Sequence, residues 1–153
     1  LCYGLQKPLI AVGSLDALTE VAREDYEAGI LSVSDWDRAL LCPMVDARRM
    51  EVYAQVFDAE GRPQNEVTAE VIDAGSFREF REQGRPFVIF GSGARKCAEV
   101  LAGAEFVEVA PSARGLARLA QQALDEGRTE DIAYFEPFYL KDFVVTTSKK
   151  SLF

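Results

Sequence analysis

The sequence predicts an α/β domain in which a mixed β-sheet carries helices on its faces. The chain has 153 residues, of which 48% are hydrophobic and 27% charged, a composition and length typical of about one globular domain. From Leu40 onward, closely spaced strands with short turns are followed by alternating strand and helix patterns. An antiparallel meander followed by βα units forms a mixed sheet, and this order predicts the class.

The first segment reads as the end of a helix, then a strand and a helix. Residues 1–5 are apolar and lack an initiator Met, so we expect a piece of a longer protein. Pro8 ends that helix, and residues 9–13 predict a short buried strand. Ser14 is the predicted cap of the next helix and Gly29 its C-terminal stop. The apolar face of this helix holds Leu15, Leu18, Ala22 and Tyr26.

The predicted strand at residues 9–12 has no neighbouring strand in this segment. An unpaired apolar strand predicts self-association, as a homodimer, or local disorder. Residues 30–37 are irregular and rich in turn formers, and they separate a first unit, 1–31, from a second, 38–135.

The second unit opens with three predicted strands. Residues 40–45 form an apolar run, with an edge or bulge at Pro43. Residues 51–58 alternate and a third strand lies near 66–72. The alternation places Val52, Ala54 and Val56 on one face of the second strand, and Tyr53, Gln55 and Phe57 on the other.

The pattern then changes to helices and strands. Ser76 and Glu79 form a predicted capping box, with Phe77 and Phe80 on the buried face of the helix. Strands at 87–90 and 106–109 and helices at 94–101 and 112–126 follow. The last helix should turn Leu116, Leu119, Ala120, Ala123 and Leu124 inward. This order of elements is ribonuclease-H-like.

Composition excludes several function classes. The chain has no histidine, so it lacks Ser-His-Asp triads, Cys-His pairs and HExxH zinc sites. Its formal charge is −8, and an acidic surface disfavours direct binding to nucleic acid. Cys2, Cys42 and Cys97 are scattered, which favours free thiols in the cytoplasm. Cys42 and Cys97 have apolar neighbours in sequence, so we expect both in the core. No apolar run is long enough for a membrane span.

Three local features could carry chemistry, and each has a plainer interpretation that we favour. Asp46 ends the first strand of the meander, as a metal ligand would, or is a turn residue. The loop of Gly91, Ser92 and Gly93 follows a buried strand and could cradle an anion, or its glycines are steric requirements. Arg48 and Arg49 could grip a carboxylate or phosphate, or pair with their own neighbours.

The C-terminal segment concentrates aromatic residues. Tyr134, Phe135, Phe138 and Tyr139 lie in an extended stretch that contains Pro137. We expect these side chains to pack back on the domain, with a partner surface as the alternative. Residues 136–153 form a predicted tail that ends with the polar region of Lys149 and Lys150.

Three segments together resemble the TsaB (YeaZ) family: residues 8–18, 46–53 and 136–141. The residues that carry the resemblance in the second and third segments are Asp46, Ala47, Arg48, Glu51, Tyr53, Pro137, Tyr139 and Leu140. The match runs from the first residues to about Lys141, so the chain looks like the C-terminal two thirds of the family, without the glycine-rich segment of its first half.

The resemblance implies a fold and a role. TsaB-like proteins consist of two ribonuclease-H-like halves in the actin, sugar-kinase and heat-shock ATPase arrangement, so residues 1–31 would be a remnant of the first half. They are the dimerisation subunit in bacterial tRNA threonylcarbamoyladenosine synthesis, with a TsaD-like catalytic subunit and a TsaE-like ATPase as partners. By resemblance, this chain acts as a scaffold or activator without catalytic residues, cofactor or metal, and meets tRNA only through the complex.

The alternative is an enzyme of the same superfamily that binds or hydrolyses nucleotides. It would use the loop at residues 91–96 for the phosphates and Asp46 for a metal ion or a water molecule.

Overall fold

The computed structural model describes residues 1–141, which form a mixed six-stranded sheet with helices on both faces. The elements are α1 (Cys2–Leu5), α2 (Ser14–Glu27), β1 (Leu40–Asp46), β2 (Glu51–Ala54), β3 (Phe57–Asp58), β4 (Thr68–Val71), α3 (Arg78–Arg81), β5 (Phe87–Phe90), α4 (Ala94–Cys97), β6 (Glu105–Phe106) and α5 (Ala117–Asp125). Short 3₁₀ helices at Trp36–Arg38 and Ala113–Leu116 precede β1 and α5. Of the predicted tail, residues 142–153 lie outside the described residues.

Strand β1 is the centre of the sheet. The spatial order is β4-β2-β1-β5-β6, and β3 also pairs with β1. Strands β2 and β3 are antiparallel to β1, and β4 is antiparallel to β2. On the other side, β5 and β6 run parallel to β1. The carboxyl ends of β1 and β5 therefore lie at the same edge, which brings Asp46 beside the loop that follows Phe90.

Pro43 lies in this central strand, and the prediction of an edge position is wrong. Leu41 pairs with Phe57 and Met44 with Ala54, so residues 51–58 run along β1 in one register. The strand predicted at 51–58 is interrupted between Ala54 and Phe57, opposite Pro43, which has no N–H to donate. Asn65 fills the gap, because its side-chain oxygen accepts from the Val56 N–H at 2.7 Å.

The sheet buries an apolar cluster on each face, as the strand alternation predicts. Leu40, Cys42 and Met44 of β1 lie in one cluster with Phe80 of α3 and Cys97 of α4. The other cluster joins Leu41, Val88 and Phe90 to Leu15, Leu18 and Val21 of α2. Val52, Ala54 and Val56 lie in the first cluster and Phe57 in the second, as expected from their alternation.

Helix α2 shares a core with the sheet and also supports the last helical segment. A Cβ added to Gly115 would lie 2.2 Å from the Ala17 carbonyl oxygen, so the 3₁₀ helix approaches α2 at backbone contact. The boundaries of the predicted domains 1–31 and 38–135 stay predictions.

The predicted strand at residues 9–13 is wrong. Only Leu9 makes a bridge, with Glu130, whose N–H donates to the Leu9 carbonyl at 2.8 Å. Ala11 and Gly13 are exposed. Apolar sequence alone does not make a strand, and no further neighbour pairs with this segment in the described part of the chain.

Two predicted helix caps are also wrong. Helix α2 begins at Ser14 itself, with Gly13 at the cap position and no side-chain cap. Ser76 does not cap α3, because its hydroxyl accepts from the Asp73 N–H at 3.1 Å. The turn before α3 thus uses the Ser76 hydroxyl that a capping box would need. Phe77 and Phe80 are buried as predicted.

The later elements are shorter than predicted. The helix predicted at 94–101 ends at Cys97, and the strand predicted at 106–109 is Glu105–Phe106. Of the inward positions predicted for the last helix, Ala123 is buried, but Leu116 and Leu124 are more than 40% exposed. The 3₁₀ helix before α5, rather than α5 itself, makes the main contact with α2, so the apolar stripe of α5 is not fully covered. Among residues 1–141, no helix has the length and apolar character needed to cross a bilayer.

Candidate functional site

The three segments that carry the family resemblance meet at one edge of the sheet. The turn at residues 46–51 joins β1 to β2, and residues 136–141, called the strap below, lie against this hairpin. The N-terminus of α2 lies beside both. A cavity of about 300 Å³ is lined by Gly13, Ser14, Leu15, Asp16, Val45, Tyr53, Val67, Phe138, Tyr139, Leu140 and Lys141.

The turn at residues 46–51 is held by hydrogen bonds of its own. The Ala47 N–H donates to the Glu51 carbonyl at 3.1 Å, and the Glu51 N–H to the Arg48 carbonyl at 3.0 Å. Arg48 has a φ of 82° and Arg49 a φ of 46°, a left-handed conformation that non-glycine residues seldom adopt. The Asp46 carboxylate supports it by accepting from the Arg48 N–H at 3.1 Å.

Two lysines bind the two carboxylates of this turn. Lys96 of α4 donates to the Asp46 carboxylate and, at 2.8 Å, to the Glu51 carbonyl. Lys141 of the strap donates to the Glu51 carboxylate. The hydrogen bond from Lys96, with a smaller effect of the Arg48 N–H, lowers the pKa of Asp46. Asp46 is therefore a charged partner of Lys96 at the end of β1.

Asp16 is the titratable group on the α2 side of the cavity. It lies in the first turn of α2, where a negative charge interacts favourably with the helix dipole. Burial raises the pKa of its carboxyl, and its own backbone N–H partly offsets this effect. Its carboxylate lies over Gly13, where an added Cβ would be 2.1 Å from Asp16 Oδ2.

The loop of Gly91, Ser92 and Gly93 packs tightly against β1. The Gly93 N–H donates to the Met44 carbonyl at 2.9 Å, and the Ser92 hydroxyl accepts from the Asp46 N–H at 3.1 Å. A Cβ on Gly91 would lie 2.7 Å from the Met44 carbonyl oxygen, and one on Gly93 2.8 Å from Val52. Both glycines are needed for this packing, and the Gly93 N–H is already used. Anion binding by the loop stays a prediction.

The buried thiols of Cys42 and Cys97 belong to the core. Burial raises the pKa of both, which keeps them protonated and unreactive. The Cys97 thiol donates to the Gly93 carbonyl at 3.2 Å. Cys2 is partly exposed. Within residues 1–141, no three acidic or cysteine side chains converge closely enough to hold a metal ion.

Three of the four aromatic residues of the C-terminal segment do not pack back on the domain as predicted, whereas Phe135 is only 38% exposed. Tyr134 is 84% exposed, Phe138 79% and Tyr139 78%. Phe138 and Tyr139 line the cavity beside the hairpin, and Lys141 binds Glu51. Pro137 is exposed as well. Leu140, which lines the cavity, is 36% exposed.

Sequence reasoning missed a set of ion pairs between α2 and the last helical segment. The buried Glu20 carboxylate accepts from Arg118 at 2.5 Å and from Arg23 at 3.0 Å. Asp25 accepts from Arg114 at 2.5 Å. The available signal was the spacing of Arg114 and Arg118, which places both on one side of a helix, opposite acidic residues of α2.

Comparison with solved structures shows likeness of fold. YeaZ from Pseudomonas aeruginosa superposes with a TM-score of 0.68 at 21% sequence identity, over 91% of this chain and 62% of that protein. A protein described as uncharacterised, with similarity to peptidase YeaZ from Pseudomonas aeruginosa, superposes with a TM-score of 0.61 at 20% identity. That match covers 92% of this chain and 62% of the other.

No protein-family model matches the sequence, and a search of curated proteins finds no match. The chain thus has a mixed α/β fold similar to that of YeaZ, which confirms the family resemblance at the level of fold. It spans 62% of the length of the two structures that it matches.

Proposed function

We propose that this chain is a TsaB-type subunit that serves as a scaffold or activator in the synthesis of threonylcarbamoyladenosine in tRNA. The observation that carries the proposal is the convergence of three segments, distant in sequence, at one edge of the sheet. Tyr53 of β2, the N-terminus of α2 and Leu140 of the strap line one cavity. Their common position gives a structural reason for the resemblance to occur in these segments together.

The finer fold class belongs to this proposal. A central strand with antiparallel neighbours on one side and two parallel strands on the other supports a ribonuclease-H-like fold of the actin, sugar-kinase and heat-shock ATPase superfamily. In the enzyme alternative, nucleotide chemistry would take place at the end of β1, where Asp46 and the loop at residues 91–96 lie. Here the same edge holds the 46–51 turn and the strap.

The geometry at this edge supports a protein-binding role over nucleotide hydrolysis. Asp46, the carboxylate that a metal ion would need, is bound by Lys96. The neighbouring loop uses its Gly93 N–H to hold β1 rather than to present it to a phosphate. An anion-binding loop and a metal-binding carboxylate are the two parts that the enzyme hypothesis needs.

The chain would act by binding a TsaD-like catalytic subunit and stabilising its active conformation. A TsaE-like ATPase completes the assembly, and tRNA contacts the complex through the partners, in keeping with the net charge of −8 on this chain. The assembly would work in the cytoplasm.

Affinity capture tests this proposal. The intact tagged protein is recovered from its own cells and its partners are identified by mass spectrometry, with an unrelated acidic protein of similar size as control. Recovery of a TsaD-like and a TsaE-like protein with this bait alone is the expected result. Recovery of neither, together with Mg²⁺-dependent nucleotide turnover that falls in Asp46→Ala, would contradict the proposal and favour the enzyme.

A further inference from the structure

Arg48 and Arg49 differ from every other arginine of the chain. The side chains of the remaining ten make a hydrogen bond or an ion pair within residues 1–141. Those of Arg48 and Arg49 make none with the described residues, and both residues are exposed. The prediction that these two arginines pair with their own neighbours is therefore wrong for residues 1–141.

The structure shows why the neighbouring carboxylates do not take these arginines. Asp46 and Glu51 flank the pair, and each is bound by a lysine from another part of the chain, Lys96 and Lys141 respectively. The turn thus collects four positive and two negative side chains. On a protein with a formal charge of −8, this is a local excess of positive charge.

The two guanidinium groups start from a backbone that is fixed in advance. Arg48 and Arg49 both have positive φ, and the hydrogen bonds of the 46–51 turn hold them there. Non-glycine residues keep such a conformation only where the surrounding structure imposes it, and such residues cluster at functional sites. A fixed turn also reduces the entropy lost when a ligand binds.

The apolar cavity opens on the same hairpin. Val45 and Tyr53, which line it, are paired neighbours on β1 and β2, a few residues from the turn. Lys141 belongs to both features, since it lines the cavity and binds Glu51. A ligand that reaches the arginines can therefore place an apolar group in the cavity.

We propose that the 46–51 turn and this cavity form a docking site for an acidic segment of a partner protein. Two neighbouring carboxylates of that segment bind Arg48 and Arg49, because the guanidinium fork matches a carboxylate in two hydrogen bonds. An apolar side chain next to them enters the cavity beside Tyr53. The inference rests on the proposed function in one respect, that the partner is a protein.

The small size of the positive region favours carboxylates over a nucleic acid. RNA-binding surfaces neutralise many phosphates in a row, and the rest of this acidic chain would repel them. Arg48 and Arg49, which have no side-chain partner among residues 1–141, match a pair of acidic side chains in number.

A peptide titration tests the site on the intact protein. The probe is a fluorescent ten-residue peptide with adjacent Glu-Glu followed by Leu, and the matched probe carries Gln-Gln. Binding is compared for the wild type, for the double variant Arg48→Gln and Arg49→Gln, and for a control double variant, Arg78→Gln and Arg128→Gln. The control removes the same charge from exposed arginines that already pair with Glu82 and Glu126.

The Glu-Glu peptide should bind the wild type and the control variant with similar affinity. Its affinity for the Arg48, Arg49 variant should be at least tenfold lower. The Gln-Gln peptide should bind the wild type with a similarly reduced affinity, and added salt should weaken the binding of the Glu-Glu peptide. Equal affinity for the wild type and the Arg48, Arg49 variant, or no binding at millimolar peptide, would overturn the site. Tighter binding of a twelve-nucleotide RNA, lost in the same variant, would overturn the assignment to an acidic protein segment. Each result is independent of which partners the capture experiment recovers.

Discussion

Lys141 donates from its ammonium group to the carboxylate of Glu51, and this ion pair joins residues 90 positions apart in the chain. Glu51 is the first residue of β2, while Lys141 is the last residue of the strap that the structure describes. The pair fixes the end of the strap beside the cavity, where Phe138 and Tyr139 otherwise have little contact. It also keeps the Glu51 carboxylate away from the two arginines of the turn.

Replacing Glu51 with Gln should release the strap. The Lys141 side chain is 47% exposed, so the loss of stability should be at most about 1 kcal/mol. The local effect should be larger: amide hydrogens of residues 138–141 should exchange faster and trypsin should cleave after Lys141 sooner. Hydrogen exchange measured by mass spectrometry checks this expectation.

The control for this variant is Glu108→Gln, which removes a carboxylate from the exposed pair with Arg95 far from the strap in sequence. It should leave exchange at 138–141 unchanged. If Glu51→Gln also leaves these rates unchanged, the ion pair does not hold the strap.

Replacing Glu20 with Gln should destabilise the contact between α2 and the last helical segment. The Glu20 side chain is 4% exposed and binds Arg23 and Arg118. Breaking a fully buried pair costs about 3–5 kcal/mol, but Arg118 is half exposed and can turn to water, so we expect about 2 kcal/mol. Urea unfolding gives the value. Glu126→Gln, in an exposed pair with Arg128, should leave the free energy of unfolding nearly unchanged; equal losses in the two variants would contradict the account of Glu20.

Replacing Gly93 with Ala tests whether the loop after β5 is a packing turn. The new methyl group would lie 2.8 Å from Val52 and 3.2 Å from the Asp46 nitrogen, so the loop or β1 must shift. Overpacking of this kind costs about 1–3 kcal/mol. Thermal unfolding measures it, with Gly4→Ala as control because nothing lies within 4 Å of that site. A Gly93→Ala protein as stable as the control would show that the glycine is not required for packing.

Replacing Lys96 with Met should raise the pKa of Asp46 towards its usual range. The wild-type pKa is lowered in the folded state, first by the Lys96 hydrogen bond and then by the Arg48 N–H. The stabilising effect of this charge is therefore present above the unfolded pKa, about 3.9, and is lost as the pH falls through the folded value. Carboxyl-carbon NMR titration measures the pKa of Asp46 in the wild type and in the variant. Arg95→Met, at the adjacent position, should leave Asp46 unaffected, and an unchanged pKa in Lys96→Met would contradict the ion pair.

The sequence predicts the sheet well because its signals there are local. The alternation of Val52, Ala54 and Val56 follows from the two-residue period of a strand, and the order of strands and helices limits the sheet to few arrangements. Cys42 and Cys97 were correctly predicted to be buried.

One error is local: the Ser76 hydroxyl accepts from the Asp73 N–H and therefore does not cap a helix. The other errors arise where distant residues decide the structure. Leu9 is apolar, but within residues 1–141 only Glu130 pairs with it. The pairing of Glu20 with Arg118 joins residues 98 positions apart. For the same reason, the sequence identified Arg48 and Arg49 but not the two lysines that bind the neighbouring carboxylates.

Reconstituted tRNA modification tests the central claim most directly. A TsaD-like protein, a TsaE-like ATPase, a threonylcarbamoyl donor and unmodified tRNA are combined with and without the intact protein, and threonylcarbamoyladenosine is quantified by nucleoside mass spectrometry. The account predicts little product without this protein and at least a tenfold increase with it, and no product from this protein alone. Full activity of the TsaD-like protein in its absence would contradict the proposed function.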